Sequence, residues 1–528
     1  MSLQNCAWRA YSSGRLAIEA KKLPINRVPS ASALSPKNGS IFVARTAIAA
    51  FLLPSISTLL WWIPTKSALH FRGWVNAEFI LLLALALWIP SSGMIALLTA
   101  ELTLSLIEPI AHLYYFSPAD ALLSMKYLLL IPTSRLVTYA VLLLLYIVGS
   151  AVSLRMLLER QRGTFAKQAA GALVVCVVLL SGYDVAAGRR LSVSQTTSIF
   201  GDLDASSLHA VRMPLMSLLV GLSSGLTNPS NTLVEKLPSA LDRALPKSGL
   251  GTRPNIVLIL TESWGFAKDE QLNRMQIEPY VGSAIQDRYR VETGTVGFKG
   301  GTVAGEMREL CGESRNRRTS ITLPSGYYDA CWPDRLAALG YRTLAVHGFT
   351  PSMFNRKTWY RQMGFGESDF LPELARDGAN GCDGAFPGAC DADVAVWIKN
   401  RLLGTPDEPT FVHWVTLNSH LPLPSHDDGA ESHACVVLHI EQDHSLCTWF
   451  SRVELVHESV ARLAISLQLR PTIFIIVGDH APPFLNASNR DRFSQTVVPY
   501  VILSPRKVSH LKSTLAKKGV KVQTVMRN

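Results

Sequence analysis

Long apolar runs crowd the first 190 residues of this 528-residue chain, and they constrain its folding more than any other feature. The runs cover about Ala47–Ile63, Trp74–Ile89, Met94–Tyr115, Leu136–Val152 and Ala169–Ala187. Each comes close to the roughly 20 residues that cross a bilayer core as a helix. The second is short, so four spans and a re-entrant segment would also satisfy the pattern. Overall the chain is 48% hydrophobic and 17% charged, whereas soluble globular chains carry about 25% charged residues. The remainder reads as a globular sequence. The expected division is a basic arm at 1–45, a transmembrane domain at 46–187, a connector at 188–251, a folded domain at 252–506 and a basic tail at 507–528. The long arm, with no small-residue cleavage site after the first run, argues against a cleaved signal peptide.

The formal charge is +11. Its positive residues gather in the arm (Arg9, Arg15, Lys21, Lys22, Arg27, Lys37, Arg45), around Arg155, Arg160, Arg162 and Lys167, and after Arg506. Basic residues flanking apolar spans orient a membrane protein, and no nucleic-acid recognition motif accompanies them. Nucleic acid is therefore not an expected partner. Arm and Arg155–Lys167 loop both belong on the cytoplasmic side, which puts everything after Ala187 outside; Arg189 and Arg190 are a smaller signal the other way. Glu101 and Glu108 within the third span read either as functional carboxylates or as polar helix–helix contacts.

Cysteine usage points to the same compartment. Cys6 and Cys176 lie in the arm and a span, whereas Cys311, Cys331, Cys382, Cys390, Cys435 and Cys447 all lie beyond Ala187. An even set confined to the exported part suggests disulfides, and proximity favours 311–331, 382–390 and 435–447. CxxC spacing, which a zinc cluster would favour, is absent. The connector contains an amphipathic stretch, Met213–Leu222, suited to a membrane surface or to a plain helix.

The folded part opens on Asn255–Leu260, a continuous apolar run of strand length. Such runs form strands covered on both faces. Thr343–Val346, Phe411–Thr416, Thr472–Val477 and Tyr500–Leu503 are similar. Helical stretches at Asp334–Leu339, Ala392–Leu402 and Ser451–Leu469 alternate with them, which predicts an α/β fold with a mostly parallel sheet. Ligands of such sheets gather at the carboxyl ends of the strands. There the chain places Glu262, His347, His420 and the pair Asp479-His480. Singly, each could be a helix cap or a surface polar group; together they form a site. Glu, Asp and His in one cleft suit a single divalent cation, zinc or manganese. Thr302, after the glycine-rich Gly297–Gly301, is the candidate nucleophile at a helix N-terminus. An ordinary N-cap threonine would give the same pattern.

These residues resemble the sulfatase and alkaline phosphatase superfamily, in particular its membrane-bound lipoteichoic acid synthases, phosphoglycerol transferases and phosphoethanolamine transferases. The resemblance rests on Asn255–Ser263, Thr302 in its glycine-rich turn, His347, Asn418-Ser419-His420-Leu421-Pro422 and Gly478-Asp479-His480. It implies five spans followed by an extracytoplasmic alkaline-phosphatase-like domain in a bacterial inner membrane. It implies a metal held by Glu262, Thr302, Asp479 and His480, with Thr302 as nucleophile. His347, Asn355, Arg356 and His420 would contact the substrate, arginine offering a bidentate fork, and His347 or His420 would move protons. A classical sulfatase would carry Cys or Ser followed by x-Pro-x-Arg, which Thr302-Val-Ala-Gly-Glu lacks. The implied reaction transfers a phosphoglycerol or phosphoethanolamine head group from a phospholipid donor to a glycan or glycolipid. A hydrolase of phosphodiesters or sulfoesters, with water as acceptor, and a non-catalytic sensor or assembly protein are the competing readings.

Overall fold

A computed structural model describes residues 77–89, 91–115, 133–160, 171, 175, 238–245, 253–313, 328, 331–423, 433–466 and 470–506. Three helices occupy the second, third and fourth apolar runs: α1 (Ala77–Trp88), α2 (Ser92–Leu113) and α3 (Thr133–Arg160). They pack on one another through Leu83, Ala86, Met94, Leu98, Leu102, Leu154 and Leu158. One stretch among the described residues, Leu136–Arg155 of α3, is long and apolar enough to cross a membrane. Glu101 is buried. The arm, the first run, nearly all of the fifth, Met213–Leu222 and the tail after 506 lie outside the described residues, as does the Glu108 side chain.

The folded part holds nine described strands: β1 (Asn255–Thr261), β2 (Tyr289–Gly297), β3 (Arg342–His347), β4 (Glu367–Asp369), β5 (Gly381–Cys382), β6 (Gly388–Ala389), β7 (Thr410–Val415), β8 (Thr472–Gly478) and β9 (Val497–Pro505). Every residue of β1, β7 and β8 is buried. Their β-branched, apolar side chains leave no face for water, so they can only be central strands. Seven strands form one sheet in the order β2-β9-β8-β1-β7-β3-β4. Pairing is parallel from β8 through β4 and antiparallel where β9 joins β8 and β2. The mostly parallel α/β layering expected from the sequence is therefore present.

Four helices matter for the site: α4 (Thr302–Cys311), α5 (Arg356–Gln362), α6 (Asp391–Gly404) and α7 (His444–Ala464). Helix α7 begins nearly two turns before the predicted Ser451, because Asp443 caps it by accepting from the Leu446 amide. It buries Trp449, Val453, Val456, Val460 and Leu463 on one stripe, the spacing of an amphipathic helix. The disulfides join 311–331, 382–390 and 435–447, the pairing that proximity favoured. Cys311–Cys331 ties the end of α4 to the segment leading into β3.

Candidate functional site

Parallel pairing forces the carboxyl ends of β8, β1, β7 and β3 onto one edge. Thr261 lies opposite Gly478, and His347 opposite Val415, so Glu262 and Asp479 emerge side by side. Two backbone features bring them closer. Gly478 passes so near Trp264 that a Cβ there would lie 1.9 Å from its carbonyl oxygen; only glycine fits. Ser263, between Glu262 and Trp264, has φ 57°, a left-handed conformation costing about 1 kcal/mol or more that surrounding bonds must hold. Its amide donates to Asp479 Oδ1 at 2.7 Å and its hydroxyl to Glu262 Oε1 at 2.9 Å.

Asp479 Oδ1 also accepts from the His480 amide at 2.6 Å. That leaves Asp479 Oδ2 buried with no hydrogen-bond partner, 3.3 Å from His480 Nε2. His480 Nδ1 lies 2.9 Å from the Ala481 carbonyl. A carbonyl only accepts, so Nδ1 carries the hydrogen, and Nε2 faces Glu262 Oε1 at 3.4 Å. Ligand atoms of Glu262, Asp479 and His480 all lie within 4.8 Å of one another. The Thr302 hydroxyl donates to Glu262 Oε2 at 3.0 Å. Thr302 is the first residue of α4 and Gly301 caps that helix without a side-chain bond, so the hydroxyl stands among unpaired N–H groups. Glu262, Thr302, Asp479 and His480 thus meet at one point.

The electrostatics of this point call for positive charge. Burial pushes Asp479 up to about 7, Glu262 adding to the effect. Burial would also raise Glu262, but His420 and His480 outweigh it and hold that carboxyl well below the usual range. Burial lowers His480, yet Asp479 and Glu262 bring it to about 9. Two buried carboxylates, an imidazole nitrogen aimed between them and an orphaned carboxylate oxygen form a donor set that a divalent cation fits.

Two further groups, invisible to motif reading, fix this arrangement. Arg308 of α4 is buried and donates to the Gly478 carbonyl at 2.7 Å and the Asp479 carbonyl at 3.2 Å. It is anchored by Glu309 at 2.6 Å, so the helix carrying Thr302 and the turn carrying Asp479 move as one. Asp391, the first residue of α6, accepts from the amides of Leu417 and Asn418 at 3.0 and 2.7 Å, while its own amide donates to Asn418 Oδ1 at 2.6 Å. This carboxylate holds the loop that carries His420. Only the position of Arg308 one turn and a half beyond Thr302, and of Asp391 at a helix start, hinted at them.

The remaining candidates divide. His420 Nε2 lies 4.0 Å from Glu262 Oε1, and burial lowers its pKa despite that carboxylate. His347 ends β3 with Nδ1 3.0 Å from the Val415 carbonyl, which leaves Nε2 its lone pair. Burial, then Arg356, lowers its pKa to about 3. Arg356 is turned to Glu306, with Nη2 at 2.9 Å and Nε at 3.1 Å; its Nη1 is buried without a partner. Asn355 is not brought to the cluster: it adopts φ 55° before α5 and accepts from the Thr358 hydroxyl at 2.8 Å.

Residues 254–525 match the family model described as Sulfatase. Among solved structures the chain is similar to a protein of the alkaline phosphatase superfamily from Vibrio parahaemolyticus, at 19% identity over 59% of this chain and 76% of that one, TM-score 0.36. It is similar to the Streptococcus pyogenes phosphoglycerol transferase solved with sn-glycerol-1-phosphate, at 16% identity over 50% and 70%, TM-score 0.35. A lipoteichoic acid synthase of Listeria monocytogenes gives 14% identity over 55% and 76%, TM-score 0.32. No curated protein matches.

Proposed function

The chain belongs to the sulfatase family, and from that membership we propose that it is a membrane-bound transferase acting through a phosphothreonine at Thr302. The group moved is the head group of a phospholipid, phosphoglycerol or phosphoethanolamine, and the acceptor is a hydroxyl of an envelope glycan or glycolipid. The basic arm and the basic residues from Arg155, on the last turns of α3, to Lys167 face the cytoplasm of a bacterial inner membrane, with the 252–506 domain outside. One observation carries the reading: a half-buried threonine hydroxyl at a helix N-terminus donates to a carboxylate within the Glu262–Asp479–His480 cluster.

A zinc or manganese ion held by Glu262, Thr302, Asp479 and His480 would favour the ionised Thr302 hydroxyl and draw charge from the phosphoryl oxygens. The chain's own groups do the rest. Thr302 Oγ bonds to phosphorus as the bond from phosphorus to the diacylglycerol oxygen breaks; the Thr302 proton goes to His420 or His347, neutral at the start, and passes from it to the leaving oxygen. Glu262 Oε2, which accepts the Thr302 hydrogen bond, aims the nucleophile's oxygen. In the second step the acceptor hydroxyl gives its proton to the same histidine, its oxygen bonds to phosphorus, and Thr302 Oγ leaves, taking that proton from the histidine. His347 suits the role, being neutral with a free Nε2. The unpartnered Nη1 of Arg356 is the donor for a phosphoryl oxygen, and the α4 N-terminus favours the transferred anion.

The test measures diacylglycerol release from labelled phosphatidylglycerol and phosphatidylethanolamine by the full-length protein with added metal. Release should fall by at least about a thousandfold in Thr302→Ala, since deleting a nucleophile can cost about a millionfold. Label should accumulate on the glycan or glycolipid rather than in water. Release unaffected by Thr302→Ala would end the mechanism, and label recovered wholly as free head-group phosphate would make the protein a hydrolase.

A further inference from the structure

Helix α2 reaches this site. It ends at Leu113, and the next two residues lie over the strand ends. The Tyr115 ring is 5.1 Å from the His480 ring and meets Phe298 edge-on at 5.3 Å; its hydroxyl donates to Gln495 Oε1 at 2.9 Å. The Tyr114 ring lies nearly parallel to that of His420 at 6.3 Å. Its carbonyl comes so close to Gly301, the residue before Thr302, that a Cβ there would lie 3.4 Å away. One wall of the site is therefore an aromatic pair on the end of an apolar helix of 22 residues. Nothing in the transfer chemistry above uses these two rings.

Their chemistry suits a lipid better than a free ester. Tyrosines at the ends of membrane helices settle at head-group level, apolar body toward the acyl chains and hydroxyl toward water. Helix α2 packs on α3, which turns Leu142, Leu144, Leu145 and Val148 outward, each more than half exposed. Those leucines and that valine are dressed for hydrocarbon, so α2 and α3 share one bilayer. The end of α2 then fixes the height of Thr302 above it. A phosphodiester still anchored by its acyl chains would meet Thr302 with its glycerol backbone against the tyrosine rings. A small ester arriving from water would have no use for them.

Resting on the transferase reading, we propose that Tyr114 and Tyr115 are specificity-determining residues that select a donor presented from the bilayer over the same ester free in solution. The test compares kcat/KM of the full-length protein for a phospholipid in vesicles with kcat/KM for a water-soluble aryl phosphodiester. The ratio of the two should fall about tenfold in Tyr114→Ala and in Tyr115→Ala, while Tyr115→Phe, which keeps the ring, should hold it within about threefold. A common drop for both substrates, or an unchanged ratio, would show the rings merely brace the fold. A Tyr115→Phe ratio as low as that of Tyr115→Ala would assign the effect to the tie with Gln495 and overturn the proposal. Wild-type protein that consumes the soluble ester and no lipid sinks the transferase reading with it. A lipid-active wild type whose tyrosine variants keep the ratio sinks this proposal alone.

Discussion

Helix α4 carries two buried acid clusters one turn apart, and they are opposites. At its first residue Thr302 meets Glu262, Asp479 and His480. One turn on, Glu306 receives Arg356 at 2.9 and 3.1 Å, His413 at 3.4 Å and the Tyr360 hydroxyl. Both clusters combine carboxylate, imidazole and hydroxyl, and the acids and imidazoles of both are buried. The difference is one guanidinium. Burial would raise Glu306, but Arg356 and then His413 hold it at about 2, so its charge is matched from within the fold. The first cluster has two carboxylates, an oxygen with no partner, and imidazoles in place of a guanidinium to offset them. A buried charge must be compensated. Where the sequence supplies an arginine the cluster braces the fold; where it supplies none, the cluster has a donor set that a cation fits.

The sharpest way to break this contrast is to delete a ligand on one side. Asp479→Asn should lower turnover by at least about a thousandfold, comparable to losing other groups that act only as a unit. It should also abolish the response to metal. Wild-type protein should melt higher with zinc or manganese than with a chelator, by about 2.7 kcal/mol at a metal concentration a hundred times Kd. The Asp479→Asn protein should melt alike in both. A variant that still gains stability from metal would show that Asp479 is not a ligand.

The second prediction attacks the other side. Glu306→Ala leaves Arg356 and His413 buried without their acid, and breaking such a pair costs about 3–5 kcal/mol. Denaturant unfolding of full-length protein in detergent should show that loss, while the stabilisation by metal remains. If Glu306→Ala unfolds like wild type and loses its metal response instead, the two clusters have been assigned the wrong way round.

How far this contrast was legible in the sequence depends on the range of each contact. The runs Asn255–Leu260, Phe411–Thr416 and Thr472–Val477 announced themselves because a strand buried on both faces has no polar residue to interrupt it. Their ends then gave Glu262, His420 and Asp479-His480, since parallel strands deliver their carboxyl ends to one edge. Thr302 stood out only through its glycines and the family resemblance. Strand β2 did not register: its outer position leaves Arg290, Glu292 and Thr293 exposed or half-exposed, so its pattern resembles loop. Arg308, Asp391 and His413 were missed for another reason. Each works through partners 26 to 171 residues away, and nothing local separates a clamp from a surface charge. Arg356 was read as a phosphate contact, whereas two of its nitrogens serve Glu306 and one is left over. Tyr115 counted as the last residue of an apolar run, and its contact with His480 runs from the end of α2 to the end of β8.

The smallest expected effect extends the contrast to histidines. His480 sits beside two carboxylates and is raised to about 9. His457 of α7 is equally buried but faces Tyr280 and Trp264: its Nδ1 is 2.9 Å from the Tyr280 hydroxyl, its ring 4.3 Å from Trp264, and its Nε2 has no partner. With no acid near, burial lowers it to about 3. The folded protein therefore keeps His457 neutral, while the unfolded chain takes up a proton below the ordinary histidine value of 6.5. Between pH 6.5 and 3 the unfolded state binds more protons, so this contribution is complete above that window and is lost as pH falls through it. His457→Asn, close in volume and unable to titrate there, should flatten the dependence of unfolding free energy on pH by one proton across the window. Measured by denaturant titration with chelator present, an unaltered slope would mean that His457 is already charged in the fold. Charge compensation would then fail to separate the buried histidines, and the contrast between the acid clusters would lose its simplest support.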